Sequence, residues 1–265
     1  MAKKFIVANW KMNPNSVKEA EALFIGVCKS APKMKNTEVV VCPPFVYLDR
    51  LSGIIHNAMP IGRQAKYKNQ INLGSQDVFW ENRGSYTGEI SPLMLKDFGV
   101  KYVIVGHSER RKYLMANNEI INKKIKTALK NNLKVFFCVG EEERDEKGKY
   151  LKFLKEEIIE GFKKIPKDNL KNLFIVYEPI WAISSNKGAA ADTPRNFLET
   201  SIYIRKILFF RFGRKVAHKV PILYGGSVDG KNARGFLEEG RADGILAGRA
   251  GLKVKSFVDI LKSLK

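Results

Sequence analysis

Residues 173–181 read Leu173-Phe174-Ile175-Val176-Tyr177-Glu178-Pro179-Ile180-Trp181. Five consecutive aliphatic and aromatic side chains read as a buried strand. Pro179 has no amide hydrogen to give to a ladder, so Glu178 falls where strand gives way to loop. A carboxylate held there against Ile180 and Trp181 is partly desolvated, which raises its pKa toward general-base duty. The same position also suits a structural carboxylate paired with one of the chain's many lysines.

The same unit recurs on both sides of this stretch. Residues 5–10, 38–42, 71–76, 102–105, 135–139, 220–224 and 244–247 read as further strands, rich in β-branched and aromatic residues. Helical signals lie between them. Val17, Ala20, Leu23, Phe24 and Val27 recur at helical spacing after a cap at Asn15 or Ser16, and Phe45, Leu48, Leu51 and Ile55 follow the second strand. Pro92 opens a helix that Gly99 closes, and Pro194 opens one running to about residue 212. Residues 119–130, 150–164, 231–239 and 257–264 supply the rest, while 66–72 shows no clear period and 80–88 reads as a Gly-rich loop.

Strand then helix, eight times in 265 residues, matches a closed barrel of parallel strands, for which about 250 residues is typical. A doubly wound open sheet is the alternative, but the first strand lacks the Gly-x-Gly-x-x-Gly turn of dinucleotide binders. No linker composition interrupts the pattern, so residues 1–265 are expected to form a single α/β domain.

Composition bounds the function. At 45% hydrophobic and 28% charged the chain is globular in character. No apolar run reaches membrane-spanning length, and residues 5–8 are too short for a signal-peptide core, so no membrane partner is expected. Cys28, Cys42 and Cys138 are odd in number and without metal-type spacing, which fits a reduced cytoplasmic compartment. The net charge of +20 is spread through nearly every polar segment, with acidic residues among the lysines and no nucleic-acid motif. Nucleic acid is therefore not expected as the main partner; a general pull on small anionic substrates is the milder consequence.

In a parallel barrel the loops after the strands gather on one face, where active sites are built. Polar residues that end apolar strands are Asn9 and Lys11, Gln76 and Asp77, His107 and Glu109, Glu141, Glu178, Ser227 and Gly248. His107 follows an apolar strand, and a helix starting just after it would keep the imidazole neutral. A hydrogen-bonded structural histidine is the bland alternative, and His56 and His218 take that reading. Lys11 gains weight from its place beyond an aromatic strand end, two residues after Asn9. The turns Tyr224-Gly225-Gly226-Ser227 and Ala247-Gly248-Arg249-Ala250 follow the last two strands. They offer backbone amides for a phosphate, although tight turns need glycine in any case.

Asn9-Trp10-Lys11-Met12-Asn13, Tyr86-Thr87-Gly88-Glu89-Ile90-Ser91, Gly106-His107-Ser108-Glu109-Arg110-Arg111, Tyr177-Glu178-Pro179-Ile180-Trp181-Ala182 and Tyr224-Gly225-Gly226-Ser227 together resemble the triosephosphate isomerase family. The resemblance runs in order from residue 5 to about 264. It implies a (β/α)8 TIM barrel, no metal, no organic cofactor, and a homodimer in which the loop around Thr87 completes the partner's site. It also implies catalysis by Lys11, His107 and Glu178, with Asn9 placing a small phosphorylated sugar and Glu109 supporting. The phosphate would rest near Ser184, Ser227, Gly248 and Arg249.

Two departures from the family pattern fall on the phosphate side. After Ile183 the family usually continues Gly-Thr-Gly-Lys, whereas this chain reads Ser184-Ser185-Asn186-Lys187-Gly188, and Pro194 comes about three residues late. Arg249 stands where the family usually has the second glycine of Gly-Gly-Ala-Ser. The resemblance thus points to isomerisation of dihydroxyacetone phosphate and glyceraldehyde 3-phosphate in glycolysis and gluconeogenesis. The alternatives are a four-carbon ketose phosphate, or a non-catalytic phosphate- or nucleic-acid-binding barrel.

Overall fold

The computed structural model describes residues 3–32, 34–56, 71–145, 147–183 and 191–264. Eight strands form in chain order: β1 (Lys4–Asn9), β2 (Thr37–Cys42), β3 (Ile71–Ser75), β4 (Tyr102–Val105), β5 (Lys134–Val139), β6 (Leu173–Tyr177), β7 (Ile222–Tyr224) and β8 (Gly244–Ala247). Each pairs in parallel with the next, and β8 returns to β1, so the sheet closes. Closure leaves no edge strand, and the helices between strands cover the outside.

Side chains alternate across the wall. Along β1, Phe5 and Val7 belong to the inner cluster with Val40, Ile104, Cys138, Val176, Leu223 and Leu246. Ile6 and Ala8 belong instead to the larger layer between sheet and helices. The inner floor is aromatic: Phe5 meets Phe174 at 4.7 Å, Phe174 meets Phe136 at 5.2 Å, and Phe136 stacks on Tyr102 at 5.1 Å between centroids. These rings sit toward the starts of their strands and plug that end of the barrel. The other end is left to polar residues, and that asymmetry places the site.

Local chemistry sets most element boundaries. Ser16 caps the helix Val17–Ser30, accepting from the Glu19 amide at 3.2 Å. Ala20, Phe24 and Val27 are buried as their spacing predicts, but Val17 is 47% exposed. It is the first residue after the cap, in a turn that has not yet reached the sheet. β7 begins at Ile222 and not at Val220, because Pro221 contributes only its carbonyl, which accepts from the Ile175 amide at 2.9 Å. Gly213, at φ 88°, divides helix Pro194–Phe212 from a helix Arg214–Lys219 that periodicity did not separate.

Candidate active site

Asn9 closes β1 and is buried. Its Oδ1 accepts the Lys11 amide at 3.0 Å. Lys11 stands in the left-handed region at φ 53°, which costs a non-glycine residue about 1 kcal/mol. Gln76 offsets that cost: its Nε2 donates to the carbonyls of Lys11 at 2.8 Å and Cys42 at 3.0 Å. The lysine side chain then reaches Glu109, with Nζ 2.5 Å from Oε1. On the way it crosses Gly248, where an added Cβ would lie 3.3 Å from Lys11 Cε.

His107 follows β4 and caps the helix Ser108–Leu114. Its Nδ1 accepts the Glu109 amide at 3.2 Å. That nitrogen therefore carries a lone pair, and in the neutral ring the proton sits on Nε2. Glu109 Oε2 lies 3.7 Å from the same Nδ1. With Nδ1 already an acceptor this is proximity, not an ion pair.

Glu178 follows β6 and is only 2% exposed. Its Oε2 accepts the Ser108 amide at 3.1 Å, and its Oε1 stands 3.2 Å from His107 Nε2. Two glycines leave the space it occupies. A Cβ on Gly140 would lie 1.8 Å from the Glu178 carbonyl oxygen, and one on Gly225 would lie 2.8 Å from Glu178 Cγ. The strand-end acid, imidazole and lysine thus converge, from three strands, at one end of the barrel.

A cavity of about 510 Å³ opens on that end, lined by Lys11, His107, Gly225, Ser227, Gly248 and Arg249 among others. Glu178 lies beneath its wall, behind Gly225. A sequence profile described as triosephosphate isomerase matches residues 4–264. The chain belongs to the triosephosphate isomerase family. Proteins named triosephosphate isomerase from Dictyoglomus thermophilum and Carboxydothermus hydrogenoformans are 40% and 41% identical to it, each over 264 residues. Those alignments cover 99% of this chain and 100% and 99% of the relatives. A third so named, from Alkaliphilus oremlandii, is 39% identical over 98% of this chain and 99% of its own length.

The remaining strand-end residues divide into support and bystanders. Glu141 holds the turn that follows β6: Tyr177 Oη and Trp181 Nε1 donate to its Oε1 at 2.6 and 2.9 Å. Its carbonyl accepts the Ile180 amide at 3.0 Å. Burial raises the Glu141 pKa, against the pull of those two donors. Ser227 Oγ donates to the Ala182 carbonyl at 2.8 Å, tying the cavity wall to the same turn. Ser184 and the residues up to 190, where the chain departs from the family pattern, lie outside the described residues. Arg249 is exposed and opens a short 3-10 turn, Arg249–Leu252, directly after Gly248. Asp77 faces away from the site, gripping Arg110 Nε at 2.7 Å and Lys124 Nζ at 2.5 Å. His56 ends the helix Leu48–His56, and His218 is exposed on Arg214–Lys219.

The support behind Glu178 comes from residues that the strand-end pattern does not single out. Glu157 is 1% exposed, accepts the Gly140 amide at 2.9 Å, and meets Arg111 Nη1 at 3.0 Å. Arg111 also donates to the Gly106 carbonyl at 2.9 Å. Burial pushes the Glu157 carboxyl up to about 7 despite Arg111. Glu157 sits mid-helix beside Glu156, and the one signal of its burial is its spacing, three residues after Leu154 and four before Gly161. Cys138, in the inner cluster, faces Glu178, and burial together with that carboxylate holds its thiol protonated.

Proposed function

We propose that this chain interconverts dihydroxyacetone phosphate and D-glyceraldehyde 3-phosphate through an enediolate, the aldose–ketose isomerisation that gives its family its name. The observation that carries the assignment of roles is the approach of His107 Nε2 to Glu178 Oε1 at 3.2 Å, beside the cavity that Lys11 lines. A binding module has no use for a buried carboxylate beside a proton-bearing imidazole.

The chemistry divides among the three side chains. Glu178, ionised, takes a proton from the carbon next to the carbonyl, rotating off the Ser108 amide to reach it. His107 donates its Nε2 hydrogen to the carbonyl oxygen, then shuttles protons between the two oxygens of the enediolate. Lys11 Nζ offsets the negative charge that develops there, and Asn9 fixes the strand end from which Lys11 projects. The proton returns from Glu178 to the neighbouring carbon, so product and substrate are isomers and no electron leaves the pair. Glu109 holds both partners in register, its side chain on Lys11 and its amide on His107. The phosphate rests on amides near Ser184, Ser227, Gly248 and Arg249, with the Arg249 charge in addition.

The loop that follows β3 supports a homodimer. Residues 81–89 are almost wholly exposed around Thr87, yet the base of the loop is packed. Phe79 stacks on Trp80 at 4.0 Å and meets Tyr86 at 4.6 Å, and Thr127 Oγ1 donates to the Trp80 carbonyl at 2.7 Å. Met12 and Tyr86 are exposed as well. An exposed projection on a packed base, bearing exposed apolar side chains, fits insertion into a second copy. A glycolytic role and a cytoplasmic setting go with this reading; among the described residues no helix is long and apolar enough to cross a membrane.

A coupled assay on glyceraldehyde 3-phosphate, with a four-carbon ketose phosphate as competitor, tests the assignment. Turnover of the triose phosphate that vanishes in Glu178→Gln supports it. Absence of turnover in the folded chain, or preference for the longer substrate, overturns it.

A further inference from the structure

The high positive charge has no role in the reaction beyond Lys11 and the phosphate end, and it is not evenly placed. Residues 200–228 contain no Asp or Glu but six Lys and Arg. Arg205 is committed within the fold, to Asp243 at 2.8 Å and the Ala217 carbonyl at 2.7 Å. Lys206, Arg211, Arg214, Lys215 and Lys219 are exposed, and no described carboxylate pairs with them.

Large apolar side chains stand among these cations. Helix Pro194–Phe212 buries Phe197, Ile204, Ile207 and Leu208 against the barrel. Its outer face should then be polar. It instead exposes Ile202 at 59%, Phe209 at 48% and Phe210 at 75%, spaced i, i+7 and i+8, with Lys206 between them. The two phenyl rings lean on each other, centroids 5.7 Å apart, and on no other described ring. Arg205 binds the residues that precede β7 and β8, so this end of the helix lies at the starts of the strands. That rim is opposite the one bearing Glu178 and His107.

We propose that the outer face of helix Pro194–Phe212 and the adjoining helix Arg214–Lys219 dock the protein on an anionic lipid surface. Phe209, Phe210 and Ile202 enter the boundary between headgroups and acyl chains, and the surrounding cations meet lipid phosphates and carboxylates. A second copy of the chain fits poorly, because it would press five unpaired cations against five more. Single-stranded nucleic acid would match the charge, but it stacks on rings and has no use for Ile202 in line with them. A bilayer accepts the whole stripe and needs no groove. Docking by this rim leaves the catalytic mouth facing away from the lipid. The absence of a spanning or signal-like run in the sequence speaks against insertion, and a peripheral contact needs neither.

Flotation of the purified full chain with phosphatidylcholine vesicles, with and without phosphatidylserine, tests the proposal at physiological ionic strength. The chain is expected to float only with phosphatidylserine present. The double variant Phe209→Ser, Phe210→Ser is expected to weaken that binding by on the order of tenfold or more, with isomerase turnover unchanged. Lys206→Gln, Arg211→Gln, Lys215→Gln weakens it by a separate route and guards against misfolding of the first variant. Failure to float with phosphatidylserine overturns the proposal. So does equal binding by the phenylalanine variant, which would leave only diffuse attraction of the +20 charge. Displacement from vesicles by single-stranded RNA at equal phosphate concentration, or a change of subunit number in the phenylalanine variant, overturns it too, in favour of nucleic acid or self-association.

Discussion

The side chains of Glu178 and His107 meet at 3.2 Å although 70 residues separate Ser108, whose amide holds the carboxylate, from Glu178 itself. One carboxylate oxygen is held by an amide, and the other faces the ring nitrogen that carries a proton. Glu178→Asp withdraws the carboxylate by about one methylene length. A displacement of about 1 Å costs on the order of 10²-fold in rate, so kcat is expected to fall that far with KM little changed. Steady-state kinetics on both triose phosphates check this, and a loss below about threefold would remove Glu178 from the role of base.

Lys11 depends on a residue outside the chemistry. Gln76→Ala leaves the Lys11 and Cys42 carbonyls without their donor and releases a backbone held at positive φ. At about 1 kcal/mol per hydrogen bond, a loss on the order of tenfold in kcat/KM is expected, while Lys11→Met costs about 10²–10³ by removing the charge. If Gln76→Ala leaves kcat/KM unchanged, the strained lysine holds itself.

Gly225→Ala tests the packing around Glu178. The new methyl would stand 2.6 Å from Val176 Cγ1 and 2.8 Å from Glu178 Cγ, so one of them must move. Overpacking of this kind costs about 1–3 kcal/mol, and moving Glu178 adds a fall in kcat. Thermal unfolding and kinetics on the same sample separate the two effects. Full activity at reduced stability would show that Val176 yields and Glu178 does not.

Glu157 gives the fold a pH dependence of unusual sign. Its folded-state pKa is raised from 4.5 to about 7. Between those values the folded chain keeps a proton that the unfolded chain has lost, so stability falls as pH rises. The contribution is fully present below about 4.5 and gone above about 7. Glu157→Gln removes the titration. Its melting temperature is expected to gain on the parent's across that window and to run parallel outside it; parallel curves throughout would place the Glu157 pKa near its ordinary value.

The proposed homodimer predicts that Thr87→Arg, at the exposed tip of the loop after β3, turns a dimeric parent into a monomer in light scattering. Turnover should fall with it if, as the proposed homodimer requires, this loop completes the partner's site. An intact dimer with Thr87→Arg would move the interface elsewhere.

Much of this was legible before any coordinates. Eight apolar runs separated by helical periods and turn residues specified a parallel barrel, because burial on both faces and capping are local chemical demands. The polar residues that end those runs, Asn9, Lys11, His107 and Glu178 among them, mark out a candidate site, and the closed barrel brings them to one end. What stayed hidden depends on contacts between distant segments. Asp77 and Gln76 are neighbours at the end of β3, yet one closes a buried pair with Lys124 and the other props Lys11. Glu157 and Glu156 are adjacent on one helix, and only the first turns into the core. Leu208, Phe209 and Phe210 are consecutive apolar residues, yet the first is buried and the two rings stand in solvent. Strand order, periodicity and strand-end chemistry are properties of short stretches, and the sequence alone determined them. The partner of a given charge or ring depends on how eight strands stagger around a closed sheet, which only the tertiary structure decided.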